Sequence, residues 1–99
     1  MSYGMLSHIK RTGTFLKDVK RLKRKHFDLD KLDYVIKLLM DQDTVTLIHQ
    51  YDDHALKGNL HTLRELHIQP DWLLVYQIEH GTLTLVLVET GSHKQLLGK

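Results

Sequence analysis

The sequence predicts an α+β fold, a two-helix N-terminal hairpin packed on an antiparallel β-sheet. Between Phe15 and Met40 apolar residues recur at helical spacing, and from Leu63 onward they gather in strand-length runs. Those runs are joined by connections too short for a crossover, so neighbouring strands must run antiparallel, with helices covering one face. A chain of 99 residues has room for one hydrophobic core, and residues 1–99 are expected to form a single domain.

Ser7 to Arg11 is expected as a short first strand. Thr12 or Thr14 then caps a helix running to about Lys25, with Phe15, Val19 and Leu22 on its apolar side. Asp28 or Asp30 caps a second helix, where Leu32, Val35, Ile36, Leu39 and Met40 keep the same period. The two join near His26–Asp28. Leu63–Ile68, Trp72–Glu79 and Thr82–Glu89 are rich in Leu, Val, Ile, Thr and aromatics, as strands are. Gln69-Pro70-Asp71 separates the first pair and His80-Gly81 the second. Gly81 is the residue expected to take the positive φ of a tight turn. Strict alternation puts Glu89 on the side of Leu83, Leu85 and Leu87.

Composition narrows the function classes. No apolar run approaches the ~20 residues that span a bilayer, and the N-terminus lacks a signal-peptide layout. There is no cysteine, no His-Glu-x-x-His helix and no histidine pair at i, i+4. Neither a metal nor another cofactor is therefore expected, and a cytoplasmic location is. The formal charge of +2 hides an asymmetry. Residues 1–37 carry ten Lys/Arg against four Asp, a net +6, whereas residues 38–99 carry four against eight acids, a net −4. Such a basic half suits a polyanion partner, although a solvated helix face has the same composition.

Four polar groups stand at or beside strand ends, where a rigid scaffold commonly builds sites. His54 precedes the sheet, His67 and Asp71 flank the Gln69-Pro70 turn, and His93 follows the last strand. His67 and Asp71 are expected to approach each other across that turn. Cleaving RNA with side chains alone needs one group to take the 2′-hydroxyl proton and another to protonate the leaving 5′-oxygen. Donors must also steady the charge on the phosphate. Imidazole suits the proton transfers, its unperturbed pKa of ~6.5 lying near working pH. Arg64, on the strand of His67, offers a planar fork for phosphate.

Read together, these segments resemble a known family. Asp53-His54-Ala55-Leu56-Lys57-Gly58 is similar to the Asp-His-x-Leu-x-Gly motif of YafQ-type toxins in the RelE/ParE superfamily. Arg64 to Tyr76 resembles their Arg-(Asp/Glu)-x-His-(Ile/Val)-x-Pro-Asp-Trp-(Ile/Leu)-Leu-(Ile/Val)-Tyr block, and Thr90-Gly91-Ser92-His93 their closing Thr-Gly-(Ser/Thr)-His. The resemblance implies a microbial-ribonuclease-like toxin of a type II toxin–antitoxin pair that enters the ribosome and cuts mRNA. Its implied partner is an antitoxin of ribbon-helix-helix type. It further implies that His93 is the general acid and that His54, His67 and Asp71 share proton abstraction and phosphate contact. Trp72 matches a functional position too, either as a base-stacking surface or as core. Lys17, Lys20, Arg21, Lys23 and Arg24 would grip ribosomal RNA. Two positions depart from the pattern. Leu97 stands where the family has an aromatic, and Glu89 where it generally has arginine. Those departures keep open an alternative, a weakened or non-enzymatic toxin acting by binding, to its antitoxin or, as in the ParE branch, to gyrase.

Overall fold

The computed structural model describes residues 5–58 and 62–97. In chain order these form β1 (His8–Arg11), α1 (Gly13–Arg24), α2 (Leu29–Met40) and α3 (Thr44–Tyr51). There follow β2 (His54–Ala55), β3 (Arg64–Gln69), β4 (Trp72–Glu79), a 3-10 turn (His80–Thr82), β5 (Thr84–Gly91) and α4 (His93–Leu97).

Each helix starts where a side chain satisfies its free amides. Thr12 Oγ1 accepts the Phe15 N–H at 3.0 Å and donates to the Val88 carbonyl at 2.6 Å, fixing the entry of α1 against β5. Asp28 caps α2 through the Asp30 N–H. Asp43 caps α3 through the Thr46 N–H and hydroxyl. Helix α3 is not expected from the sequence, which leaves the stretch after Asp41 unassigned. Leu47 alone of α3 is fully buried, with Tyr51 packed partly beside it, so its apolar signal is one short i, i+4 pair rather than a long stripe.

The sheet order is β1-β5-β4-β3-β2. The β3–β4 and β4–β5 pairs are antiparallel, as expected; β2 adds an unexpected antiparallel edge strand that brings His54 into the sheet rather than before it, and β1 runs parallel to β5. The sheet is therefore mixed. Everything between Arg11 and Thr84 forms the crossover that a parallel pair requires. The hairpin between β4 and β5 also differs from expectation. Leu83, not Gly81, takes the left-handed conformation, at φ 52°, because the 3-10 turn carries the chain past the glycine first.

Leu66, Leu74, Tyr76, Leu85 and Leu87 pack with Phe15, Leu22, Leu32, Val35, Leu39 and Leu47 in one core on the helical side of the sheet. Helix α1 lies on β5, and α2 lies against α3 and β3. Among the described residues the opposite face carries no long helix, and it bears His54, His67 and His93.

Candidate active site

The sheet register explains why the histidines meet. His54 pairs with Glu65, Glu65 with Val75, and Val75 with Glu89, making one row across β2, β3, β4 and β5. The next row is His67, Leu73 and Gly91, and the chain then turns into α4 and presents His93. Side chains in a cross-strand row share a face. The His54 and His67 rings are 6.2 Å apart between centroids, and those of His67 and His93 are 5.5 Å apart. Three imidazoles thus form a line with His67 in the middle.

Carboxylates flank that line. His54 Nδ1 lies 2.6 Å from the Asp52 carbonyl, which can only accept, so Nδ1 carries the proton and donates it. Nε2 of His54 then faces Glu65 Oε1 at 3.4 Å. His67 Nε2 lies 3.5 Å from Asp52 Oδ2 and 4.0 Å from Glu65 Oε1. Glu65 is buried at 6% exposure, an acid at the floor of the face shared by two imidazoles. Asp71 Oδ1 accepts the His93 backbone N–H at 3.2 Å and lies 3.5 Å from His93 Nδ1. Asp71 therefore serves His93 rather than His67. Neither Asp52 nor Glu65 is singled out by the sequence. Their signal is the shared parity of Glu65 with His67 on one strand.

Two expected RNA contacts lie elsewhere. Trp72 is buried at 1% exposure, with its indole N–H on Thr90 Oγ1 at 3.0 Å and Phe27 edge-on at 5.0 Å. It is core, with no face left for a base. Arg64 shares a strand face with Leu66 and Ile68, opposite His67. Its Nε lies 3.3 Å from both Asp53 Oδ1 and the Tyr76 hydroxyl, and that hydroxyl donates to Asp53 at 2.7 Å. This cluster ties the start of β2 to the sheet. Burial, then the charge of Asp53, pushes the Tyr76 phenol well above its ordinary value. Burial works against the charged Arg64, but Tyr76 and Asp53 outweigh it and hold the guanidinium's pKa up.

A second anchor supports the turn that carries His93. Asp18, buried on α1, accepts the Thr90 N–H at 3.0 Å and binds Arg21 at 2.8 Å. Thr90 Oγ1 donates to the Leu73 carbonyl at 2.7 Å. A Cβ on Gly91 would meet Gln95 Oε1 at 2.9 Å and the Arg21 guanidinium at 3.4 Å, so glycine lets α4 fold closely over the strand. Arg21 is thus committed to Asp18. Lys17, Lys20, Lys23 and Arg24 remain exposed on α1, on the other side of the sheet from the histidines.

Glu89 lies on the histidine face. An irregularity in the β4–β5 register pairs Tyr76 with Leu87 but Val75 with Glu89, making Val88 the extra residue and reversing the alternation beyond it. Pairing of Glu89 with Arg64 is excluded by their positions on opposite faces. Leu97 ends α4, and its side chain lies outside the described residues. Among the described residues no three histidine or acidic side chains converge as a bound metal requires. Among the described residues a cleft of about 440 Å³ lies away from the row, between α1 and α2.

Residues 7–98 match the family model described as the bacterial toxin of type II toxin–antitoxin systems, YafQ. The mRNA interferase toxin YafQ of Escherichia coli is 37% identical over 90 residues, covering 91% of this chain and 95% of the relative. The YafQ chain in the crystal structure of the E. coli DinJ-YafQ toxin-antitoxin complex superposes with a TM-score of 0.82 at 35% identity, covering 95% of this chain and all of that one. A metal-bound toxin from Helicobacter pylori gives 0.80 at 43% identity, covering 91% of this chain and 98% of its own. The sequence and the fold thus match one known group of proteins, and the chain belongs to the YafQ family of type II toxin–antitoxin toxins.

Proposed function

We propose that this chain is an mRNA interferase, an endoribonuclease that cuts messenger RNA on the ribosome and is silenced by a cognate antitoxin. The observation that carries the reading is the line of His54, His67 and His93 with a carboxylate beside each ring. It supplies both proton transfers from side chains.

With Nδ1–H of His54 held by the Asp52 carbonyl, the open Nε2 is the atom left to take the 2′-hydroxyl proton, and Glu65 meets the proton when it arrives. His67, in the middle, faces both this base and His93 and is placed to take the same proton or to contact the phosphate. The 2′-oxygen bonds to phosphorus and the bond from phosphorus to the 5′-oxygen breaks. His93, oriented by Asp71, gives its proton to that oxygen. The products are a 2′,3′-cyclic phosphate and a 5′-hydroxyl. The exposed cations of α1 face away from this chemistry and suit ribosomal RNA phosphates. An antitoxin partner follows the DinJ-YafQ precedent.

Expressing the chain alone and mapping RNA ends tests the reading. Discrete new 5′-hydroxyl ends within ribosome-bound mRNA are expected, and co-expression of the antitoxin should remove them. Growth arrest with intact mRNA would instead favour a toxin acting only by binding.

A further inference from the structure

Glu89 is an anomaly on a face meant for RNA. The residue is half-buried, and no hydrogen bond or ion pair engages its carboxylate among the described residues. The Val88 bulge turns it to the histidine side. Along β5 it stands one same-face step from Gly91, about 7 Å, and across the sheet two strand spacings from Glu65, about 10 Å. An RNA strand lying over His67 and His93 therefore passes it. A carboxylate repels phosphate, so any favourable contact must come from donors on the RNA.

Ionised carboxylate is acceptor-only, with two oxygens in one plane. Among unpaired bases, guanine alone presents two parallel donors, N1–H and the 2-amino group, on one edge. Adenine and cytosine set an acceptor nitrogen beside their amino group, and uracil has one N–H between two carbonyls. We propose that Glu89 is a specificity-determining residue that accepts both donors of a guanine next to the cleaved bond. The inference rests on the endonuclease reading above. It adds selection through the donor edge of the base, whereas an arginine at this position would meet phosphate or the acceptors of guanine. A salt bridge from Glu89 to the antitoxin is the competing use, disfavoured because Glu89 lies beside the catalytic row.

The test uses the full chain and ribosomes carrying a short mRNA in which each base flanking the cut is permuted through A, C, G, U and inosine, the last lacking the 2-amino group. Wild type should cut the guanine substrate roughly 5- to 150-fold faster than its adenine counterpart, the usual worth of a bidentate contact. Inosine should lose most of that advantage. Glu89→Gln, which replaces one acceptor with a donor, should erase the preference by lowering cleavage of the guanine substrate to the level of the adenine one or below it. A preference that survives Glu89→Gln, or no guanine preference in an active wild type, overturns the inference while sparing the endonuclease. Weakened antitoxin affinity with unchanged base preference assigns Glu89 to the partner and also overturns it. Wild type that cuts no substrate overturns the endonuclease reading itself.

Discussion

The two faces of one sheet use polar groups in opposite ways. On the helical face most are held at close range. Asp18 takes the Thr90 amide at 3.0 Å, Trp72 reaches Thr90 at 3.0 Å, and Tyr76 reaches Asp53 at 2.7 Å. On the other face the ionisable pairs stand at 3.4–4.0 Å, too far for strong hydrogen bonds, and half-exposed histidines dominate. The close contacts hold the scaffold, and the loose ones leave ring nitrogens and carboxylate oxygens without a short hydrogen bond. His54 shows both at once, with one nitrogen tied at 2.6 Å and the other open.

That contrast breaks first, and furthest, at His93. His93→Ala should lower cleavage about 10²–10⁴-fold, the worth of a general acid, with an unchanged melting curve because the ring is half-exposed. Unchanged cleavage would remove His93 from the mechanism. Asp18→Ala should do the reverse of this. By stranding the buried Thr90 amide and Arg21 it should cost about 1.5–3 kcal/mol of stability, read by urea unfolding. Loss of activity without loss of stability would show that Asp18 is not the structural anchor described.

Tyr76 gives a test in pH. Its folded-state pKa is raised, so the folded protein holds the phenolic proton more tightly than the unfolded chain does. Its contribution to stability is complete below the ordinary value of 10.0 and declines as pH rises above it. Tyr76→Phe should flatten that alkaline decline in stability, and an alkaline limb identical to wild type would contradict the linkage. The smallest effect on the fold belongs to α1. Replacing Lys17, Lys20 and Lys23 by Gln should flatten the salt dependence of ribosome binding by roughly two to three in logarithmic slope while shifting the melting temperature little. A slope that does not move would return these lysines to an ordinary solvated face.

Much of this was legible in the sequence because local signals agree with the fold. Thr12 and Asp28 cap where expected, and the three long strands fall within two residues of their predicted bounds. What escaped was non-local. Helix α3 buries a single leucine, and nothing short-range announces that β1 joins β5 in parallel. One inserted residue, Val88, sends Glu89 to the face opposite the one simple alternation assigns it. The site shows the same division. His54, His67, His93 and Asp71 are visible as strand-end polar residues, but Asp71 meets His93 only because α4 folds back over Gly91. Arg64 could have been placed correctly, since it shares parity with Leu66 and Ile68 rather than with His67. Glu65 hid in a strand where a buried acid is not expected, and only its neighbours on β2 explain it.

The central claim, that the histidine face cuts RNA by activating the 2′-hydroxyl, is tested most directly with a modified substrate. A single 2′-deoxy nucleotide placed 5′ to the scissile phosphate of a ribosome-bound mRNA removes the proposed nucleophile and leaves the rest of the strand intact. Cleavage at that phosphate should be abolished, while the all-ribose control yields a 2′,3′-cyclic phosphate and a 5′-hydroxyl. Cutting of the deoxy substrate at the control rate, or 5′-phosphate ends from either, would contradict it.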